Sequence, residues 1–338
     1  MAGPGPRNDL TDVAGLRVGQ AEDTGVRTGV TVVLCEAPAI GAVDVRGGGP
    51  GTRETDLLGP GALVEHVDAI TLSGGSVYGL AAADGVCAGL GARGRGYGLI
   101  DQPGIPKSPI VPGAILYDLA NGGGKAWGET PPYRALGLQA LDDAGHSAPV
   151  RLGRAGAGYG ARAGALPGGT GSASYVTDDG FTVAALACVN SFGAVQMPGS
   201  EAYWAWPFEI GDEFGGARPD PSHAVSAEDW GAAKMDPKLL SNTTLCVVAT
   251  DAALTKDQAR RLAMMAQDGL ARAIRPAHAP FDGDVVFALS TAARALLAPA
   301  PVSLTRLGSI AADCLARAIA RGVHAAQAEA GRQGQDPR

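Results

Sequence analysis

The sequence predicts an α/β fold, and three observations carry that expectation. Runs of β-branched and apolar residues at 29–35, 182–189, 243–250 and 285–290 have the length and composition of buried strands. Longer stretches with apolar residues at helical spacing fall at about 76–90, 133–144, 255–274 and 305–328. At 338 residues, 46% hydrophobic and mean hydropathy +0.07, the chain can bury the core of one sizeable domain or two ordinary ones.

Composition narrows the partners. A net charge of -7 and a pI near 5.3, with no basic block, argue against nucleic acid or an anionic membrane and favour a small molecule or peptide. The first nine residues lack the apolar core of a secretion signal and no window approaches an uncharged membrane span, so a cytoplasmic protein with no membrane partner is expected. Cys35, Cys87, Cys188, Cys246 and Cys314 are odd in number, widely spaced and mostly set in apolar runs, which suits buried thiols rather than zinc or disulfides. Glycine is abundant, at 51 residues, while aromatics make up only 5%, so many turns and close backbone approaches must depend on it.

In chain order, residues 1–12 and 330–338 are polar and are expected to fray. Residues 29–35 form a first buried strand, and the alternation in 42–46 makes that segment its hairpin partner. The charged, glycine-rich stretch 47–56 reads as a loop. A strand at 68–72 ends in Ser73-Gly74-Gly75-Ser76, where Ser76 caps a helix to about Leu90, with Leu80, Ala83, Val86 (or Cys87) and Leu90 inward. Such a corner is either ordinary strand-to-helix packing or an anion site, since unpaired N–H groups point there.

Residues 110–118 should be extended, and 131–144 should contain a helix starting near Tyr133. Asn121 to Lys125 imitates a phosphate loop, but Leu119 and Ala126 stand where its first glycine and its hydroxyl belong, so a Walker site is rejected. The glycines of 156–161 suggest a dinucleotide fingerprint, yet Gly164 and Pro167 follow where a helix is required, and no nucleotide cofactor is expected. The strand 182–189 runs into Asn190, with 194–197 returning beside it as a hairpin. Residues 198–240 bring Trp204, Trp206 and Trp230 together with Pro, Asp, Glu and Gly without periodicity, which predicts an exposed, protease-accessible loop leading up to Asn242. Beyond the strand at Thr243, Thr255 to Gln258 is a capping box whose helix turns Ala259, Leu262, Met265 (or Ala266), Leu270 and Ile274 inward. Asp282-Gly283-Asp284 turns into the strand 285–290, and a last amphipathic helix runs over about 305–328.

The stretch with the most chemistry in it is Asn242-Thr243-Thr244, where a polar step meets the apolar run and sets Thr243 at the mouth of a buried strand. A threonine hydroxyl is a poor nucleophile until a base takes its proton, and the sequence offers no obvious histidine for it. Cleavage between Asn242 and Thr243 would supply a base, because an α-amine has a pKa of about 7.7 to 8.0 against about 10.4 for lysine, so roughly one in six is uncharged at neutral pH. Taken alone, the tripeptide reads equally as a turn entering a core strand.

Several further motifs lie in one order along the chain. They are Asp44-Val45-Arg46-Gly47-Gly48 with Gly51-Thr52-Arg53-Glu54-Thr55-Asp56, Ser73-Gly74-Gly75-Ser76-Val77-Tyr78-Gly79-Leu80, and the stretch 153–158. Asn242-Thr243-Thr244, Arg260 to Ala266 and Phe281-Asp282-Gly283-Asp284 continue the series. Together, from about residue 10 to about 325, they resemble the autoprocessing aminopeptidases and amidases of DmpA type, which include L-aminopeptidase/D-amino-acid esterases, β-aminopeptidases and nylon-oligomer hydrolases.

The resemblance implies a four-layer αββα sandwich, spanning 1–338 as one domain and cut into chains 1–242 and 243–338 that stay associated. It implies homo-oligomers, tetramers among similar members, and no cofactor or metal. By the same resemblance Thr243 carries nucleophile and base, Asn190 is the oxyanion donor, and Tyr117 lines the pocket and bonds the tetrahedral intermediate. Asp282 and Asp284 match the pair that orients the nucleophile and its amine. Without it, Asn190 is equally a loop-start turn, Tyr117 a half-buried strand residue, and Asp-Gly-Asp a turn. One departure is visible: the nylon-hydrolase branch has a lysine in the glycine-rich stretch after Gly158, where this chain reads Ala163-Gly164-Ala165-Leu166-Pro167, with Arg162 the only nearby cation.

These readings lead to a cofactor-free N-terminal-nucleophile hydrolase of amide bonds, an aminopeptidase or amidase acting on peptides or aminoacyl amides with a free amino terminus, with linear amide oligomers such as nylon oligomers as a further substrate class. Two alternatives share the fold: an acyltransferase passing the same acyl-threonine to an amine, and a non-catalytic binding protein.

Overall fold

A computed structural model describes residues 2–100, 102–234 and 242–335. The last part of the expected 198–240 loop, from 235 on, lies outside them, as do Ser241 and the final three residues of the C-terminal tail. The elements in order are β1 (Leu16–Asp23), β2 (Thr28–Val45), β3 (Gly51–Arg53), β4 (His66–Ser73), α1 (Ala81–Ala92), β5 (Gly113–Ile115) and α2 (Tyr133–Ala144). There follow the two-residue pair β6 (Arg162–Ala163) and β7 (Leu166–Pro167), then β8 (Gly169–Val176), β9 (Thr182–Asn190), β10 (Thr243–Ala253), α3 (Lys256–Ala273), β11 (Val285–Ala295) and α4 (Ala300–Gln335). No helix among the described residues is long and apolar enough to cross a membrane.

Three hydrophobic clusters show the layers, because a strand's side chains alternate between its two faces. Val183, Val248 and Val286 face Leu262, Ala266, Leu270, Leu315 and Ile319 of α3 and α4. The intervening residues Leu186, Leu245, Val247 and Phe287 meet Val33, Ile70 and Leu72 in a space between two β layers. Val30, Val32 and Leu34 turn away from that space onto Val86, Leu90, Leu136 and Leu141 of α1 and α2. The order is therefore helix, strand, strand, helix: an αββα sandwich. Both strand layers are covered on both faces, which is why the strand interiors 183–189 and 245–249 are apolar throughout rather than alternating.

Strand β2 belongs to both β layers, and this corrects the expected hairpin of 29–35 with 42–46. Its first half pairs with β1 and β4, its second half with β11, and the register against β4 shifts between Leu34 and Ala39. Glu36, Ala37 and Pro38 at the shift are exposed. They read as a turn, but the chain bends there and continues in one direction, since each half has its own partners on either side. The connected strands run in the order β3, β5, β4, β2, β11, β10, β9, β8, with β1 added on β2.

Three further expectations are revised, and one strand is added. Segment 194–197 makes no hairpin with β9; Ala194 bridges Arg275 and Gln196 bridges Tyr203, while β9 is paired by β8 and β10. Strand β8 went unread because it is made of small residues, Gly-Thr-Gly-Ser-Ala-Ser, that let α4 lie directly on it. A Cβ at Gly171 would stand 1.9 Å from the Ala318 carbonyl oxygen. Ser76 does not cap a helix: a 3-10 turn, Ser76–Leu80, headed by Gly75 at φ 84, precedes α1 and has no side-chain cap. Finally, Ala202, Tyr203, Ala205 and Phe214 are buried, with Tyr203 bonded to Gln327 of α4, so the first part of the expected exposed loop packs on the core. The capping box at Thr255, by contrast, forms as expected, with both of its hydrogen bonds present.

Candidate active site

Three strand ends build the site. Strand β10 begins at Thr243 and runs antiparallel to β9, whose last residue, Asn190, lies directly opposite Thr243. On its other side β10 runs parallel to β11, which the Asp282-Gly283-Asp284 turn precedes. Asn242 bridges Asp282 across that gap. Neighbouring strands stand about 4.8 Å apart, so this register alone gathers Thr243, Asn190 and the acidic pair, which are far apart in sequence.

Thr243 is 4% exposed, and its Oγ1 donates to the carbonyl oxygen of Asn242 at 2.5 Å. The same carbonyl accepts the backbone N–H of Gly283 at 2.8 Å. The hydroxyl thus lies against the bond expected to break, with an amide donor already on that bond's oxygen. A Cβ at residue 283 would fall 2.5 Å from Thr243 Oγ1, so the turn needs glycine there.

The two aspartates are not equivalent. Asp284 is fully engaged: Oδ1 accepts the N–H of Thr244 at 2.8 Å, and Oδ2 accepts the His278 N–H at 3.1 Å and lies 2.9 Å from its Nδ1. Asp282 is buried; its Oδ2 accepts the N–H of Ala279 at 2.8 Å, and its Oδ1 finds no hydrogen-bond partner among the described residues. Burial first, then the neighbouring Asp284 charge, push its carboxyl up to about 7, opposed by backbone N–H groups of Ala279 and Phe192 and by Lys234. Asp282 therefore exchanges a proton near neutral pH.

Asn190 is held through both ends of its amide. Its Nδ2 donates to the Tyr117 carbonyl at 3.0 Å, and its Oδ1 accepts the backbone N–H of Arg162 at 2.9 Å. Tyr117, half-buried, thus reaches Asn190 through its main chain. The Arg162 guanidinium turns outward to the Ala165 carbonyl, 3.0 Å away. A second cation, Lys234, which is distant from Arg162 in sequence, also lies near the site. Lys234 is 9% exposed, and its Nζ donates to the backbone oxygen of Asn190 at 3.3 Å and to Oδ1 at 3.4 Å. Lys234 lay in a stretch read as exposed loop, and no local signal marked it. His278, six residues before Asp284, was also missed; it bonds the carboxylate that accepts the Thr244 N–H.

Beside these groups, Phe192 packs edge-on against Phe281, with centroids 4.7 Å apart, and against Trp230 at 6.1 Å. The other corners singled out in the sequence are closed by the chain itself. The N–H of Gly75 donates to the Asp118 carboxylate at 2.7 Å, filling the candidate anion corner, and Glu22 takes the N–H of Gly156 in the glycine-rich stretch. Among the described residues no group of three or more His, Cys, Asp or Glu could hold a metal ion.

Comparison with known proteins identifies the family and the fold. The family model described as peptidase family S58 matches residues 8–336. An uncharacterized aminopeptidase of Mycobacterium leprae is 44% identical over 96% of this chain and 92% of its own length. A 6-aminohexanoate-oligomer endohydrolase of Agromyces sp. is 28% identical over 94% of this chain and 92% of its own. Among solved structures, a β-aminopeptidase of Burkholderia sp. superposes with a TM-score of 0.67 at 24% identity, covering 100% of this chain and 97% of that one. The L-aminopeptidase D-Ala-esterase/amidase of Ochrobactrum anthropi, described as a variant of the Ntn hydrolase fold, gives 0.67 at 22%, covering 96% and 88%.

Proposed function

The chain belongs to peptidase family S58 and is an amide-bond hydrolase, and on that premise we propose that it activates itself by cutting between Asn242 and Thr243 and then works through the new N-terminal threonine. The single observation carrying this reading is the Thr243 hydroxyl lying on the Asn242 carbonyl while the Gly283 amide donates to the same oxygen.

In the uncut chain, Oγ adds to the Asn242 carbonyl carbon, and the negative charge that develops on oxygen meets the Gly283 N–H. The C–N bond breaks as the nitrogen takes up the proton lost by the hydroxyl. Asp282, bridged to Asn242 and titrating near neutrality, relays that proton. Water then hydrolyses the Asn242–Thr243 ester, leaving a carboxylate on Asn242 and a free α-amine on Thr243. In each later turnover this amine accepts the proton of Oγ and returns it to the leaving amine, with an acyl-threonine between the two halves. Asn190 holds the substrate oxyanion together with Tyr117, Asp284 fixes the strand through Thr244, and the chemistry needs no cofactor.

Peptides and aminoacyl amides with a free amino terminus are the proposed substrates, after the aminopeptidase relatives at 44–45% identity. The row of Trp230, Phe192 and Phe281 suits an apolar side chain or a methylene chain, which admits linear amide oligomers as well. A cytoplasmic location, where the unpaired cysteines stay reduced, and assembly as a homo-oligomer of cleaved subunits complete the proposal. Intact-mass measurement tests it: the purified protein should give two masses, one beginning at Thr243, and Thr243→Ala should give one uncut, inactive chain. Two fragments from Thr243→Ala would refute self-cleavage.

A further inference from the structure

We propose that Lys234 is a positioning residue for substrate turnover, holding and polarising the Asn190 amide; this rests on the reading of Asn190 as oxyanion donor. Two donors converge on Asn190 Oδ1, the Arg162 N–H at 2.9 Å and the Lys234 ammonium at 3.4 Å. Hydrogen bonds to the carbonyl end of a primary amide do two things. They fix which end is oxygen and which is nitrogen, and they draw electron density from the nitrogen so that its N–H groups donate more strongly. A buried cation does the second far better than a neutral donor, because little water screens it.

Lys234 is built to stay where it is after the cut. Its own N–H donates to the Phe192 carbonyl at 2.9 Å, and the Ala232 carbonyl accepts the Ala165 N–H at 2.7 Å. A Cβ at Gly164 would stand 2.2 Å from that Ala232 oxygen, so the two stretches are in backbone contact. Neither anchor depends on residues 235–242. In the uncut chain the scissile carbonyl has its own donor in Gly283, whereas Lys234 bonds Asn190. The lysine therefore serves the second reaction, not the first.

The groups facing its ammonium are Asp282, from the turn before β11, and Arg162, from β6. Asp284, with His278 bonded to it, lies behind Asp282. Burial foremost, with Arg162 adding and Asp282 opposing, pulls Lys234 down to about 7. Activity that needs the ammonium then falls as pH rises through neutrality, while the Thr243 α-amine needs the opposite change.

The test compares Lys234→Met and Lys234→Arg with the wild type in self-cleavage, by intact mass, and in turnover of an aminoacyl anilide, from pH 5.5 to 9.5. Methionine replaces a buried charge by an apolar chain of similar length, so the fold should hold, checked by thermal melting. Lys234→Met should cleave itself normally, lose about 10- to 100-fold in kcat with KM within about threefold, and lose the alkaline decline. Lys234→Arg, charged at every pH used, should carry its activity to higher pH than the wild type. The proposal is overturned by a folded Lys234→Met with wild-type kcat, or by one that stays uncut. It is equally overturned by an alkaline decline unchanged in Lys234→Arg, which would assign that decline to Asp282. If wild-type protein shows no Thr243 N-terminus, it is the parent reading that fails; if it does and Lys234→Met is unaffected, only the role of Lys234 fails.

Discussion

Gly283→Ala is the perturbation that bears most directly on self-cleavage. Its φ lies outside the left-handed region, so alanine meets no backbone strain, and the effect is steric. The new Cβ would stand 2.5 Å from Thr243 Oγ1, where ordinary contact begins at 3.4 Å. It cannot retreat, because the Gly49 carbonyl oxygen is 3.0 Å away and Pro50 Cα 3.4 Å. The hydroxyl must therefore shift by roughly 0.9 Å, or the turn carrying the Gly283 N–H must swing off the Asn242 carbonyl; displacements of about 1 Å at a reacting atom cost on the order of 100-fold. Overpacking of this kind costs about 1–3 kcal/mol of stability, which leaves the protein folded. The assay follows the fraction of uncut chain by intact mass after a pulse of expression, with a melting curve as control. Wild-type cleavage kinetics in a folded Gly283→Ala protein would show that the Gly283 turn does not set the geometry of the reaction.

Two other substitutions probe the buried charges. Asp282 has its carboxyl pushed above the usual value of 3.8 to about 7, so between those values the folded chain binds more protons than the unfolded one. Stability must then fall as pH rises through that window, by on the order of a few kcal/mol. Asp282→Asn removes this slope: its melting temperature should exceed that of the wild type at pH 8 by more than at pH 5, while self-cleavage slows; an equal difference at both pH values would contradict the shifted carboxyl. Arg317, 2% exposed, is paired with Glu213 and also donates to Asn8 and the Ser174 carbonyl, tying the N-terminal segment and β8 to α4. Arg317→Met leaves Glu213 without its most buried partner and should cost about 3–5 kcal/mol in urea unfolding, while the chain is still cut between Asn242 and Thr243.

What the sequence determined by itself was whatever depends on near neighbours. The apolar run after Thr243, the capping box at Thr255, the helix from Tyr133 and the strand after Asp284 were all legible, because periodicity and end signals act within a few residues. Thr243 was marked by the polar step that enters its strand, whereas Asn190, Tyr117, Asp282 and Asp284 entered through a family resemblance, and no spacing in the chain declares that Thr243 and Asn190 lie side by side. Tertiary structure decided that, by laying β10 between β9 and β11 in a particular register. It also joined two apparent strands into the bent β2, and hid β8 among small residues that matter only because α4 rests on them. Lys234 is the clearest case: in sequence it is one lysine in an aperiodic stretch, and its meaning comes from two backbone contacts, Ala232 with Ala165 and its own N–H with Phe192, that bring it to Asn190. Pairing between distant segments is chosen by the whole packed assembly, and that choice leaves little trace in local pattern.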